Sequence, residues 1–110
     1  MTLHGVEIPT ERIGEFCRRN QIRRLSLFGS ILRDDFGDGS DIDVLVEFAC
    51  DAKIGLRFFA LERELSQIFG RKVDLHTPGF LDRYYREEVL REAEVIFEDA
   101  RRPRPAGGDL

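Results

Sequence analysis

Two aspartates near the middle of the chain have the spacing of metal ligands. Asp41 and Asp43 belong to the segment D-I-D-V-L-V-E-F, in which polar and apolar residues largely alternate up to Phe48. This alternation is typical of a half-buried strand, and residues i and i+2 of a strand project to one side about 6.5–7 Å apart. Two such carboxylates can converge on one cation or bridge a pair. The alternative is that they satisfy turn amides or face water, as Asp often does near turns.

A third carboxylate, Asp74, stands in a second alternating segment from Lys72 to His76. Two magnesium ions about 3.5–4 Å apart can clamp the attacking and leaving oxygens of a nucleotidyl transfer. We expect Asp74 to complete such a site and to help activate the nucleophile, provided that its strand lies beside that of Asp41 and Asp43. The alternative for Asp74 is a solvent-facing position. His76 is expected at the surface, outside the site.

A glycine-serine turn precedes these carboxylates. Gly29 and Ser30 follow an apolar segment, and Arg33 comes one helical step later. Glycine lets backbone N–H groups approach phosphate oxygens, Ser30 adds a hydroxyl, and Arg33 adds a fork-shaped cation. These residues are therefore candidates for holding a triphosphate, although a glycine-serine turn between a strand and a helix is common without any phosphate.

The remaining pattern predicts an α+β domain in which helices cover a small mixed sheet of three or four strands. Gly70 is expected to end the second long helix in a left-handed conformation, and Thr10 to cap the first helix. The predicted helices and strands, in chain order, are a helix 10–20, a strand 22–28, a short helical turn 30–33, a strand 41–48, a helix 55–69, a strand 72–76 and a helix 80–93. Residues 95–97 are expected either to add a short edge strand or to extend the packing.

Side-chain patterns also predict what is buried. In the second long helix, Leu56, Phe59, Leu61 and Leu65 are expected in the core. Tyr84 and Tyr85, with Phe80, are expected either in the core or on a surface for a partner. Arg23 and Arg24 begin a strand and are expected to face solvent.

Composition limits the classes of function. A chain of 110 residues fits one domain, which we place at 1–100 with a disordered tail at 101–110. The formal net charge of -4 argues against nonspecific nucleic-acid binding, which depends on basic residues. Cys17 and Cys50 lack zinc-site or redox spacing and are expected as free thiols. With no membrane-length apolar run, the protein is expected to be cytoplasmic.

The segment GSILRDDFGDGSDIDVLVEF followed by GRKVDLHTP resembles the minimal nucleotidyltransferase family of the DNA polymerase beta superfamily. The family pattern is G-S-x-x-R, then S-D-[IL]-D, then a later V-D-L, and the match spans about Ile22 to Thr77. The terminal segment LDRYYREEVLREAEVIFED resembles the family's closing helix and edge strand more loosely. One departure is that Asp34 and Asp35 stand where family members often have a glycine after the arginine.

The resemblance implies a polymerase-beta-like nucleotidyltransferase core in which Gly29 and Ser30 hold ATP. It further implies that Asp41, Asp43 and Asp74 bind two magnesium ions and that Arg33 contacts phosphate or stabilises the turn. Proteins of this size and pattern resemble antitoxins that silence a companion HEPN-class ribonuclease toxin by transferring AMP to its tyrosine. The resemblance does not specify the base preference, the number of nucleotides transferred, the acceptor residue or the oligomeric state.

Two other functions stay open from the sequence. One is a steric antitoxin that binds its partner without turnover. The other is nucleotidyl transfer to a small molecule such as an aminoglycoside, although such enzymes usually carry an extra helical domain that this chain lacks.

Overall fold

A computed structural model describes residues 2–3, 6–33, 37, 39–49, 54–80 and 83–99. The predicted tail at 101–110, together with Asp34, Asp35 and Cys50, lies outside these residues. No helix in the described segments is long and apolar enough to cross a membrane. Cys17 is a free, buried thiol, and its burial raises its pKa to about 12.

The centre of the molecule is a mixed four-stranded sheet with the strand order β5-β4-β3-β6. The strands β4 and β5 are parallel, and β3 pairs antiparallel with both β4 and β6. A separate two-stranded antiparallel pair at the start of the chain, β1 with β2, was not predicted. The strands are β1 (Thr2–Leu3), β2 (Val6–Glu7), β3 (Ile22–Phe28), β4 (Ile42–Phe48), β5 (Val73–His76) and β6 (Glu94–Glu98).

Helices cover both faces of this sheet. The helices are α1 (Thr10–Arg19), α2 (Arg57–Phe69) and α3 (Arg83–Glu92), with short 3-10 turns at Gly29–Leu32 and Pro78–Phe80. On one face, α1 and α2 pack on the apolar residues of β3, β4 and β5 to form the main core. On the other face, Val89 of α3 packs on Phe28 and Leu45 in a smaller cluster. The observed architecture confirms the predicted α+β class.

The ends of the helices differ from expectation in two places. Thr10 is the first helical residue of α1 rather than its cap, because the capping position is Pro9, which makes no side-chain hydrogen bond. The predicted helix 80–93 also differs at its first residue, because Phe80 belongs to a 3-10 turn, and α3 is described from Arg83 to Glu92. Gly70 does end α2 in the left-handed region, with φ of 68°, as predicted.

Two residues expected in the core are exposed. Leu56 precedes α2 and is 85% exposed, and Phe59 in the first turn of α2 is 61% exposed, whereas Leu61 and Leu65 are buried. Helical periodicity identifies the apolar face of a helix, but it does not show where along the helix the underlying sheet begins. Tyr84 and Tyr85 are also exposed, so they are not core residues.

The arginines that begin β3 are not solvated as expected. Arg23 is only 7% exposed, and Arg24 is largely covered. The reason is that β3 is an inner strand with neighbours on both sides. Charge is compensated across the sheet, since Arg24 Nε lies 3.0 Å from Glu47 Oε2 on β4 and Arg23 Nη2 lies 3.3 Å from Glu98 Oε2 on β6.

Candidate active site

The three predicted carboxylates lie on or directly before two adjacent strands at one end of the sheet. Asp43 of β4 and Asp74 of β5 are register partners in the parallel pair, so their side chains project from the same face. Asp41 precedes β4 by one residue and is at the start of the same strand segment. Its Oδ2 lies 3.6 Å from Nζ of Lys72, which precedes β5 in the same way. The register thus gives Asp74 the neighbouring position on which its predicted role depends.

Hydrogen bonds from α2 hold the edge strand that carries Asp74. The N–H of Val73 donates to Ser66 Oγ at 3.0 Å, and the N–H of Leu75 donates to Glu62 Oε2 at 2.8 Å. Because β5 is an edge strand, these donors face away from β4 and would otherwise lack a partner. The two contacts lie on either side of Asp74 and fix its position along the strand.

Gly29 lies directly against Asp43. Phe28, at the end of β3, is the antiparallel register partner of Asp43, so the turn starts beside the carboxylate. Gly29 has φ of 76°, and a Cβ at this position would collide with Asp43 Oδ2. Only glycine combines this backbone conformation with this close approach.

Ser30 and Arg33 belong to the same turn, in which the N–H of Arg33 donates to the Ser30 carbonyl at 2.9 Å. Arg33 is exposed and lines a small cavity of about 20 Å³ together with Gly29, Tyr85 and Glu88. The structure therefore places Gly29 beside the carboxylates and Arg33 beside α3. The residues Tyr85 and Glu88 are neighbours of the turn that the sequence did not identify.

A short turn leads into Asp41. The N–H of Ser40 donates to the Gly37 carbonyl at 3.0 Å, and the N–H of Gly37 donates to Ser40 Oγ at 3.2 Å. Arg71 Nη2 donates to the same Gly37 carbonyl at 2.6 Å. These bonds tie the residues before Asp41 to the segment that leads into β5.

The carboxylates repel one another. Partial burial and the negative charges of Asp41 and Asp43 raise the pKa of Asp74 above its ordinary value, and the neighbouring Lys72 and His76 oppose this rise only in part. A bound cation would relieve this repulsion, so the donor set suits a hard divalent ion that prefers oxygen.

Among the described residues, no three side chains of Asp, Glu, His or Cys are close enough to form a complete metal site by themselves. Magnesium is commonly bound by one or two carboxylates together with water and the phosphates of a substrate. The arrangement therefore fits metal ions that arrive with a triphosphate better than a closed protein cage.

His76 was placed outside the site by sequence reasoning, but the structure brings it against Asp43. Its Nε2 lies 3.6 Å from Asp43 Oδ1, and its ring packs edge-to-face on Phe28 with centroids 5.2 Å apart. The signal was present in the alternation, since His76 is two residues after Asp74 and shares its face. What the alternation did not show was which residue of β4 would lie nearby.

Comparisons with known proteins identify the family of this chain. The family model described as nucleotidyltransferase domain matches residues 11–101. The protein adenylyltransferase MntA of Thermococcus cleftensis is 34% identical over 97 residues, which make up 87% of this chain and 97% of that protein.

Two solved structures show the same fold at 21% identity. A toxin-antitoxin structure with AMP-PNP matches with a TM-score of 0.69, and the match covers 86% of this chain and 77% of that chain. A structure of the tri-AMPylated Shewanella oneidensis HEPN toxin in complex with MNT antitoxin matches with a TM-score of 0.60. This match covers 84% of this chain and 71% of that chain. At this identity the likeness concerns the fold alone.

Proposed function

This chain belongs to the nucleotidyltransferase domain family and has its polymerase-beta-like α+β fold, and on that premise we propose that it is an antitoxin that transfers AMP from ATP to a tyrosine hydroxyl of a HEPN-class toxin. The main observation in support of the proposal is that Asp43 and Asp74 are register partners on parallel strands, with the Gly29 turn directly beside Asp43. The name of the Thermococcus relative supports protein as the acceptor, and the AMPylated HEPN toxin in a structure of the same fold supports the partner.

Gly29 and Ser30 would receive the triphosphate, because a glycine in the left-handed region beside Asp43 lets the backbone N–H groups of the turn approach phosphate oxygens. Asp41, Asp43 and Asp74 would hold two magnesium ions, which when bound neutralise the phosphates and stabilise the leaving pyrophosphate. Arg33 would contact the phosphates or stabilise the turn.

Asp74 would accept the proton of the tyrosine hydroxyl. Its register with Asp43 would put this carboxylate beside the metal-bound nucleotide, where the attacking hydroxyl must also lie. The tyrosine oxygen forms a bond to the α-phosphorus while the bond from that phosphorus to the oxygen of the pyrophosphate breaks. Most of the rate enhancement would come from positioning and electrostatic stabilisation.

The test is intact-mass spectrometry of the product of the adjacent gene after incubation with this protein, ATP and magnesium. The Asp41→Ala/Asp43→Ala double variant is the control. A gain of one or more AMP masses that the control lacks, mapped to a tyrosine by fragmentation, would support the proposal.

Other outcomes identify the rival functions. An unmodified partner in a stable complex, with toxicity neutralised equally by the double variant, would indicate a steric antitoxin. AMP transfer to an aminoglycoside, with no transfer to protein, would indicate a small-molecule enzyme.

A further inference from the structure

His76 has a polar atom that the fold leaves without a hydrogen bond beside the candidate site. Its Nε2 is buried and has no hydrogen-bond partner within the described part of the chain. The nearest charged group is Asp43, whose Oδ1 is 3.6 Å away. This distance exceeds a hydrogen bond of about 2.7–3.2 Å by less than 1 Å.

The imidazole ring is held in place by the core. It contacts Phe28 edge-to-face at an interplanar angle of 64°, and Phe28 is itself fully buried under α3. The register partner of His76 on β4 is Leu45, which belongs to the same cluster. The position of the Nε2 atom therefore follows from packing rather than from a flexible surface side chain.

The two oxygens of Asp43 have different surroundings. Oδ2 lies against Gly29, where a Cβ would collide with it, and Oδ1 faces His76. A carboxylate that binds a cation through one oxygen keeps its orientation best when its other oxygen accepts a hydrogen bond. The imidazole is the group placed to donate that bond.

We propose that His76 is a positioning residue that donates its Nε2–H to Asp43 Oδ1 and so keeps Oδ2 directed at the Gly29 turn. The inference rests on the proposed function, because it assumes that Asp43 binds the metal that accompanies ATP. His76 is not itself assigned as a ligand, since magnesium prefers oxygen. Its effect is transmitted through the carboxylate.

Two substitutions separate hydrogen bonding from packing. His76→Phe keeps an aromatic ring against Phe28 but removes the donor, and His76→Gln keeps an N–H donor at similar reach but removes the ring. If His76 acts by donating a hydrogen bond, the Phe variant is impaired and the Gln variant is close to wild type. If His76 only fills space, the order is reversed.

The measurement is Mn²⁺ binding to the full-length protein in the presence of AMP-PNP, followed by electron paramagnetic resonance, which requires neither turnover nor a partner. We expect about 10-fold weaker Mn²⁺ binding for His76→Phe and a change of less than about 3-fold for His76→Gln. Thermal unfolding of each variant without metal confirms that both are folded. In an Asp43→Asn background, His76→Phe should have no additional effect on Mn²⁺ binding.

The outcomes separate this inference from the proposed function. If the wild type binds Mn²⁺ and His76→Phe binds it equally well, the role of His76 is overturned and the proposed function is left intact. A wild-type protein that binds no Mn²⁺ with AMP-PNP would overturn the metal site and this inference together. An equal loss in the Phe and Gln variants would also overturn the proposal, because the donor would then not be the property that matters.

Discussion

At the scale of single residues, the candidate site is centred on the carboxylate of Asp43. Gly29, Asp74 and His76 surround this carboxylate from one turn and from the neighbouring strand β5. The sequence predicted the first two, because glycine before a helical turn and an acid in an alternating strand have recognisable chemistry. It did not predict the third, because the pairing of β4 with β5 that brings His76 to Asp43 is not visible in either strand alone.

Replacing Gly29 by alanine should abolish most of the AMP transfer. The added Cβ would push Asp43 aside and force alanine into the left-handed region, which costs about 1–2 kcal/mol. We expect a loss of transfer rate of about 100-fold or more. Initial rates of partner AMPylation measure the effect.

Gly70→Ala is the matched control. Gly70 has a similar φ of 68°, but a Cβ there meets nothing within 4 Å. It should lose a similar amount of stability in thermal unfolding and keep its transfer rate. Equal transfer rates in the two variants would show that the contact of Gly29 with Asp43 is irrelevant to activity.

The charge of Asp74 should destabilise the metal-free protein at neutral pH. Its folded pKa is above the ordinary value of 3.8, so the folded protein binds this proton more tightly than the unfolded chain. The destabilisation is absent below pH 3.8 and is complete once the pH exceeds the folded pKa.

Asp74→Asn should therefore unfold at a higher temperature than the wild type at pH 7 in EDTA, and the difference should shrink as the pH approaches 3.8. Magnesium with AMP-PNP should stabilise the wild type and not the variant. A variant less stable than the wild type in EDTA at pH 7 would contradict the assigned cost of partly burying this charge beside Asp41 and Asp43.

At the scale of elements, α2 supports the candidate site by accepting hydrogen bonds from the edge strand β5. The alternation in the sequence predicted β4 and β5 to within one residue, and Gly70 correctly marked the end of α2. The hydrogen bonds from Ser66 and Glu62 to β5 could not be predicted. In sequence these two residues are only polar positions on an amphipathic helix.

Glu62→Ala should loosen β5. Removing the carboxylate leaves the N–H of Leu75 without its partner, which costs about 1–3 kcal/mol. Amide hydrogen exchange at Leu75 should accelerate, and unfolding in urea should occur at lower denaturant.

A neighbouring glutamate on the same helix serves as the control. Glu64 pairs with Arg19 on the surface at 2.7 Å, and such exposed pairs contribute about 0–1 kcal/mol. Glu64→Ala should therefore leave exchange at Leu75 unchanged. Faster exchange in both variants would show that α2 affects β5 generally rather than through the Glu62 carboxylate.

At the scale of the whole molecule, the carboxylates and the exposed start of α2 lie at opposite ends of the sheet. From Asp43, β4 runs to Phe48, and α2 returns toward Val73, which pairs with Ile42 at the carboxylate end. Leu56 and Phe59 are therefore remote from the site. The sequence predicted them as core because periodicity does not report the dimensions of the sheet.

Leu56→Ser should change the free energy of unfolding by no more than about 0.5 kcal/mol, because the side chain is already in solvent. Leu61→Ala, in the next turn and buried, should cost about 2–5 kcal/mol. Urea titrations of both variants measure the difference. A large loss for Leu56→Ser would mean that this residue is covered in solution.

The register of β4 with β5 also determines how stable a misfolded form with a shifted β5 would be. If β5 paired one residue out of place, its faces would exchange, so Asp74 would enter the apolar layer that Val73 and Leu75 now fill against α2. A carboxylate in that layer is costly, and the two apolar side chains would face water instead. A misregistered chain would therefore be unstable as well as inactive, and quality control in the cell would remove it without any test of activity.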